Sequence, residues 1–156
     1  MQWIKSSKLW ISLYELSLLL ILVVSMSGLY LGWFGDVLPD AGKLPVLSVL
    51  FGGIGGVLYL VRAIYLNACV YQRWSDVWLP WYFLRPFASM ITGGLAWLVL
   101  SGGLIILDAE HEAMSTNFGF LLVAFIAGYN VDNFLKLIEA KSKKALGLEP
   151  TRASRD

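Results

Sequence analysis

The sequence predicts an all-α polytopic membrane protein, with four transmembrane helices and a cytoplasmic amphipathic extension of the last one. Of its 156 residues, 58% are hydrophobic and only 15% are charged, whereas soluble domains average about 45–50% and about 25%. The chain also contains long apolar runs with few charges. Its net charge of +1 supplies no field for nucleic acid, so we expect no nucleic-acid partner.

Four apolar runs approach the length of about 20 residues that a helix needs to cross a bilayer. We place the spans at residues 10–34, 44–66, 86–107 and 114–134, within one transmembrane domain at residues 1–150. Pro86 is expected to open the third span, since proline fits the first helical turn. After the fourth span the helix is expected to continue to about residue 146, where Gly147 ends it, before a disordered tail at residues 151–156.

Basic residues predict the orientation, because Lys and Arg are retained on the cytoplasmic side of a membrane. Of the twelve, all but Lys43 precede span one, lie at the end of span two (Arg62) or between spans two and three, or follow span four. We therefore expect a multi-pass protein of the inner (plasma) membrane, in contact with the lipid bilayer, with both termini in the cytoplasm. No small-residue cleavage site follows the first span, so we expect it to remain as an anchor.

Aromatic residues crowd the loop between spans two and three. Tyr71, Trp74 and Trp78 follow one another at spacings of three and four residues. These spacings predict one face of a helix that lies in the cytoplasmic interface, where Trp and Tyr are enriched.

Glycines in spans two and three are candidates for helix packing, because small residues let helix backbones approach closely in lipid. They are Gly52, Gly53, Gly56, Gly93, Gly94, Gly102 and Gly103. Gly52 and Gly56 form the G-x-x-x-G pattern. The packing takes place within one subunit, or between subunits of a homo-oligomer or along a pore lining. The sequence leaves these alternatives open.

The first span contains a carboxylate, Glu15. Placing its charge in a membrane costs free energy unless the carboxylate is paired or hydrated. It lies seven residues after Lys8, about 10 Å deeper along a helix axis. Arg62 and Arg85 belong to the same leaflet in the predicted topology and are candidate ion-pair partners. The alternatives are a structural ion pair and a site for an ion or a proton.

Two further polar groups are candidates for a cation path. Asn130, Asp132 and Asn133 lie at the cytoplasmic end of span four, and Asp108, Glu110 and Glu112 lie in the predicted outer loop. In an oligomer they would line a vestibule and form an acidic mouth. The alternatives are an ion pair of Asp132, with Arg85 or with lysines of a neighbouring subunit, and an ordinary solvated loop.

Catalytic or cofactor chemistry has little support in the sequence. The single cysteine, Cys69, and the single histidine, His111, cannot form an internal disulfide or a clustered zinc site. We therefore expect no enzyme activity, no metal and no cofactor.

Three motifs carry a resemblance to known proteins. They are the Gly-rich Phe51–Gly56 run followed by Arg62, the Tyr-Phe-Leu-Arg-Pro string at residues 82–86, and Ala-Gly-Tyr before the polar cluster at residues 127–134. Residues 51–137 resemble a set of small bacterial integral membrane proteins, which implies four spans and no particular activity. The first motif alone loosely resembles small fluoride channels, but in that family it opens the chain and an asparagine-bearing helix follows it.

Two functions are consistent with these features. The first is an oligomeric membrane pore or ion channel that conducts cations. The second is a non-conducting scaffold or accessory subunit that binds a partner protein through its helices and cytoplasmic tail.

Overall fold

A computed structural model describes residues 2–33, 39–103 and 117–147, and every regular element in these ranges is helical. Helix α1 covers Gln2–Tyr30, α2 Asp40–Tyr65, α3 Leu79–Ser101, α4 Asn117–Tyr129 and α5 Val131–Leu146. A π-helical turn at Leu66–Val70 and a 3-10 turn at Asp76–Trp78 connect α2 to α3. The predicted all-α class is confirmed for these residues. The predicted tail at residues 151–156 lies outside them.

Three of the helices, α1, α2 and α3, are long and apolar enough to cross a membrane. The 13 residues of α4 extend only about 20 Å at 1.5 Å per residue, less than the hydrocarbon thickness of about 30 Å. Helices α4 and α5 qualify as one crossing only together, and they meet at a bend of 112°. The described residues therefore hold three candidate spans, or four if the bent pair is counted.

The prediction of one continuous helix from span four to residue 146 is wrong. The helix breaks at Asn130, whose φ of −116° and ψ of 50° are not helical. Asparagine tolerates such a break because its side chain competes with the helical backbone for hydrogen bonds. Beyond the break, Val131 and Phe134 are buried, so α5 folds back onto the core instead of continuing along the axis of α4.

The expected start of span three at Pro86 is also wrong. Helix α3 begins at Leu79 with Pro80 in its first turn, and Pro86 lies inside the helix. Both Pro80 and Pro86 fit the preference of proline for the first helical turn. Arg85 interrupts the apolar run, so the sequence suggested a helix that begins after it, but Arg85 lies inside α3. The expected interfacial helix with Tyr71 and Trp74 on one face is replaced by the π-helical and 3-10 turns.

Helix α2 occupies the centre of the fold. It packs against α1, α3 and α4, while α3 also packs against α4 and α5. The buried apolar side chains form three clusters: Ala96, Leu100, Ala124, Ala127 and Phe134; Ile11, Leu60 and Tyr82; and Leu22, Leu50 and Val57. The opposite face of α1 carries large exposed apolar side chains such as Leu16 and Leu20, as expected of a helix surface that faces lipid.

Glycine lets α2 approach α3 and α4 until the backbones touch. A Cβ atom on Gly52 would lie 2.5 Å from the carbonyl oxygen of Ser89 and 2.6 Å from the Cα of Gly93. A Cβ on Gly128 of α4 would collide with the backbone of Gly52. The three helices therefore meet at Gly52, where no residue with a side chain fits.

The other predicted packing glycines are not equivalent. A Cβ on Gly56 would strike the side chain of Ser89, and one on Gly53 would reach Met90 and Leu22. Gly102 and Gly103 lie at the exposed end of α3, where Gly103 has a φ of +69°. The structure places the packing of Gly52, Gly53, Gly56 and Gly93 within one subunit.

Two adjacent glycines of α3 provide a matched test of this packing. Gly93→Ala is expected to lower the free energy of unfolding by about 1–3 kcal/mol, the usual cost of overpacking. Its methyl group would meet the backbones of Ser48 and Gly52, whereas a methyl group on Gly94 would contact only Cγ2 of Val49, at 3.0 Å.

Gly94→Ala, which makes the same change in helix propensity, should therefore cost clearly less. Thermal or denaturant unfolding of both variants in one detergent measures the difference. Equal destabilisation would contradict the assigned packing.

Candidate functional site

A buried arginine lies where α3 passes the bend between α4 and α5. The side chain of Arg85 is 6% exposed, and its Nη1 donates to Oδ2 of Asp132 at 2.9 Å, while the side chain of Asp132 is 76% exposed. The pair therefore joins a desolvated cation to a carboxylate that meets water. Because Asp132 is in the first turn of α5, the pair also fixes α5 to α3.

Two aromatic rings complete the surroundings of Arg85. Its guanidinium carbon lies 4.9 Å from the ring centroid of Tyr59 and 5.6 Å from that of Trp81. A cation held over aromatic faces in a desolvated site gains about 2 kcal/mol. The Nε of Arg85 is buried and makes no hydrogen bond to any described residue, so the rings and Asp132 must offset most of the desolvation of the guanidinium.

A second arginine at this end of the bundle contacts α4. Nη1 of Arg62 donates to the hydroxyl of Tyr129 at 3.4 Å, and the ring of Tyr129 packs edge-on against Tyr59, with 5.6 Å between centroids. Tyr59 therefore contacts both Arg85 and Tyr129. We name the set Tyr59, Arg62, Trp81, Arg85, Tyr129 and Asp132 the arginine–aromatic cluster.

An aromatic cavity of about 420 Å³ adjoins this cluster. Its walls are Tyr59, Ala63, Asn67, Arg73, Trp74, Ser75, Trp78, Trp81 and Tyr82. Trp74 stacks on Tyr82 with 5.4 Å between ring centroids, and Nδ2 of Asn67 donates to the hydroxyl of Tyr82 at 3.3 Å. The cavity thus combines flat apolar walls with a few polar groups, a combination typical of binding sites.

The loop that forms the outer wall of the cavity is tied to α1. Oδ1 of Asp76 accepts hydrogen bonds from the hydroxyl of Ser7 at 2.8 Å and from Nε1 of Trp74 at 3.0 Å. The ammonium group of Lys8 lies 5.8 Å from the Trp74 ring centroid. These contacts hold the loop between α2 and α3 against the beginning of α1.

Glu15 is placed differently from the sequence-based expectation. The residue is 1% exposed, and neither carboxylate oxygen has a hydrogen-bond partner in the described part of the chain. The expected ion pair with Arg62 or Arg85 is absent there, because these arginines bind Tyr129 and Asp132 at the α4–α5 bend. Glu15 instead borders a small cavity between α1 and α2.

The structure does not bring the remaining residues of the predicted cation path together into one site. Asn130 and Asn133 are exposed on either side of Asp132, which is engaged with Arg85. Asp108, Glu110 and Glu112 lie outside the described residues. Within those residues, no three His, Cys, Asp or Glu side chains are grouped so that they could hold a metal ion.

Sequence reasoning missed several members of the site. Tyr59 and Trp81 lie on two different helices, so no spacing along the chain relates them to Arg85 and Tyr129 as one cluster. Ser89 and Gly128 could have been found, because Ser89–Gly93 and Ala124–Gly128 repeat the small-x-x-x-small spacing of Gly52 and Gly56. In the structure, the hydroxyl of Ser89 donates to the carbonyl of Gly128 at 2.9 Å, which joins α3 to α4.

Comparisons with family models, with curated proteins and with solved structures found no match to this chain. The class that the fold defines is therefore a helical protein with several helices apolar enough to span a membrane.

The Arg85–Asp132 pair makes an asymmetric prediction. Asp132→Ala should lower the free energy of unfolding by about 1–3 kcal/mol, because it leaves a buried guanidinium without its acceptor. The double variant Arg85→Met and Asp132→Ala removes the buried charge as well and should recover part of this loss. Thermal unfolding in detergent measures both, and a double variant less stable than Asp132→Ala would contradict the assigned pairing.

Proposed function

We propose that the protein is a multi-pass protein of the bacterial inner membrane with four crossings and both termini in the cytoplasm. The distribution of basic residues supports the orientation. The choice of membrane rests only on the sequence motifs within residues 51–137 described above. The arginine–aromatic cluster and the aromatic cavity would then lie at the cytoplasmic interface, which suits their Trp, Tyr and Arg side chains.

We propose further that the protein is a scaffold or accessory subunit that binds a partner protein at this cytoplasmic interface. The observation that carries the proposal is the Arg85–Asp132 bond, which joins the start of α5 to the arginine–aromatic cluster. Two rings of that cluster, Tyr59 and Trp81, also line the aromatic cavity. Interface centres are enriched in Trp, Tyr and Arg, and Trp78 at the cavity rim is 59% exposed. α5 adds exposed charges, among them a Glu139–Lys143 ion pair.

The contacts that the predicted pore residues make within the subunit also favour a scaffold. Gly52, Gly56 and Gly93 are occupied by packing within the subunit, so they do not offer a face for assembling a ring of subunits. Asp132 is occupied by Arg85, so its charge is already compensated at the end of α4.

The single native cysteine tests the topology. Cys69 is exposed in the loop predicted to be cytoplasmic, so an impermeant maleimide should label it in inverted membrane vesicles and not in intact cells. A Cys69→Ser, Glu110→Cys variant should show the opposite pattern, because Glu110 belongs to a predicted outer loop. Labelling of Glu110→Cys only from the cytoplasmic side would overturn the orientation.

Photo-crosslinking tests the scaffold. A photoreactive phenylalanine analogue at Trp78 should form a discrete protein adduct in intact cells, because this position borders the aromatic cavity. The same analogue at Leu20, which is 65% exposed on α1, should crosslink mainly to lipid and serves as the control. The absence of a protein adduct specific to position 78 would count against a partner at this surface.

An oligomeric cation-conducting pore is the second candidate, favoured by the unpartnered carboxylate of Glu15. Ion flux into liposomes that contain purified protein of known oligomeric state separates the two functions. Flux that decreases in Asp132→Ala, with assembly intact, would favour the pore and replace the scaffold. A complete lack of flux of common ions, under voltage of either sign, would remove the pore.

A further inference from the structure

Glu15 combines three properties that a purely structural carboxylate lacks. It is 1% exposed, both of its oxygens lack a hydrogen-bond partner in the described residues, and it lines a cavity of about 210 Å³. A buried polar group without a partner costs several kcal/mol in an apolar medium, and an unpaired charge costs more. Ionisable residues placed in this way inside a membrane helix mark functional sites by default.

A cavity large enough for water lies directly beside the Glu15 side chain, while both carboxylate oxygens themselves are buried. Its lining comprises Ser12, Glu15, Leu16 and Leu19 of α1 and Val61 and Ile64 of α2. A water molecule occupies about 30 Å³ in the liquid, so the cavity holds several. Ser12, one of its lining residues, is exposed and lies one turn nearer to the expected cytoplasmic end of α1.

We propose that Glu15 is a proton-binding site, at which a carboxyl group in the α1–α2 crevice takes up and releases a proton. In the uptake step, a hydronium ion transfers its proton to one carboxylate oxygen and leaves as water, so charge and atoms balance. The inference does not rest on either candidate function, since a scaffold and a pore can each contain such a site.

A proton suits this site better than a metal cation. Metal cations need several oxygen ligands to replace their hydration shell, whereas the only polar residues of the cavity lining are Ser12 and Glu15. The hydroxyl of Ser12 already donates to the carbonyl of Lys8 at 2.8 Å. A proton needs one oxygen.

The charged and titratable groups on the surrounding elements are engaged elsewhere. On α1, Tyr14 packs against the ring of Phe83, and Lys8 lies over Trp74. On α2, Arg62 donates to Tyr129.

On α3, Arg85 bonds to Asp132, and the hydroxyl of Tyr82 accepts a hydrogen bond from Asn67. None of these groups forms a hydrogen bond to Glu15. The described residues therefore supply no partner for the negative charge of Glu15, and a bound proton would neutralise it.

A hydrophobic carbodiimide tests the proposal, because it enters lipid and reacts only with a protonated carboxyl group. The carboxyl oxygen adds to the central carbon of the reagent, the proton moves to its nitrogen, and the acyl group then shifts to nitrogen as a stable acylurea. Protein in liposomes is treated with dicyclohexylcarbodiimide at mildly acidic and at alkaline pH. Intact mass and peptide mass spectrometry locate the adduct.

The expected result is one adduct per chain at Glu15, in a yield that falls as the pH rises. Glu15→Gln should remove this adduct, while Glu139→Gln, which alters a carboxylate on the exposed surface of α5, should leave it unchanged. Modification at Glu139 equal to that at Glu15, or no adduct at Glu15 in folded protein at any pH, would overturn the proposal.

Infrared spectroscopy provides a second readout that does not depend on access of the reagent. The carbonyl stretching band of a protonated carboxyl group should be present in the wild type and missing in Glu15→Gln. Loss of this band at alkaline pH would show release of the proton. A band that is absent from the wild type at acidic pH would overturn the proposal even if ion flux or partner binding were demonstrated.

Discussion

The contact of three helix backbones at Gly52 is the constraint on which the rest of the structure depends. Helices that associate in lipid gain little from burying apolar surface and depend on close van der Waals packing. At Gly52 the backbone of α2 touches those of α3, at Gly93, and of α4, at Gly128. One added methyl group would separate them, and at Gly55, one turn away on α2, an added methyl group would likewise meet the α4 backbone at Phe125 and Tyr129.

This close approach also determines which polar groups meet at the end of the bundle. Tyr59 lies seven residues after Gly52 on α2, two turns further along the helix, and Arg85 precedes Gly93 by about the same distance on α3. Because the helices touch at the glycines, the Arg85 guanidinium comes to 4.9 Å from the Tyr59 ring. Asp132 then supplies the counter-charge from just beyond the helix break. The arginine–aromatic cluster is thus a consequence of the glycine packing.

The sequence predicted the features that depend on a local pattern of residues. It did not predict the features that depend on contacts between distant residues. The apolar runs indicated α1, α2 and α3, and the G-x-x-x-G spacing indicated the packing face at Gly52. The break at Asn130 was not predictable from periodicity, because the amphipathic pattern continues across it. What bends the chain is the burial of Phe134 and the bond of Asp132 to Arg85, and both need partners on α3 and in the core. The same long-range bond removed Arg85 as a partner for Glu15.

The two carboxylates Glu15 and Asp132 therefore differ in kind, although the sequence analysis offered an ion pair or an ion site for each. Asp132 has a cation at 2.9 Å and water around 76% of its side chain, so both pairing and hydration support its charge. Glu15 has neither a bonded partner nor exposure. Removing Asp132 would leave the Arg85 cation uncompensated, whereas replacing Glu15 by a neutral residue of the same shape would remove a cost. A buried carboxyl group without a partner costs least when it carries a proton, and this is the physical basis of the proton site proposed between α1 and α2.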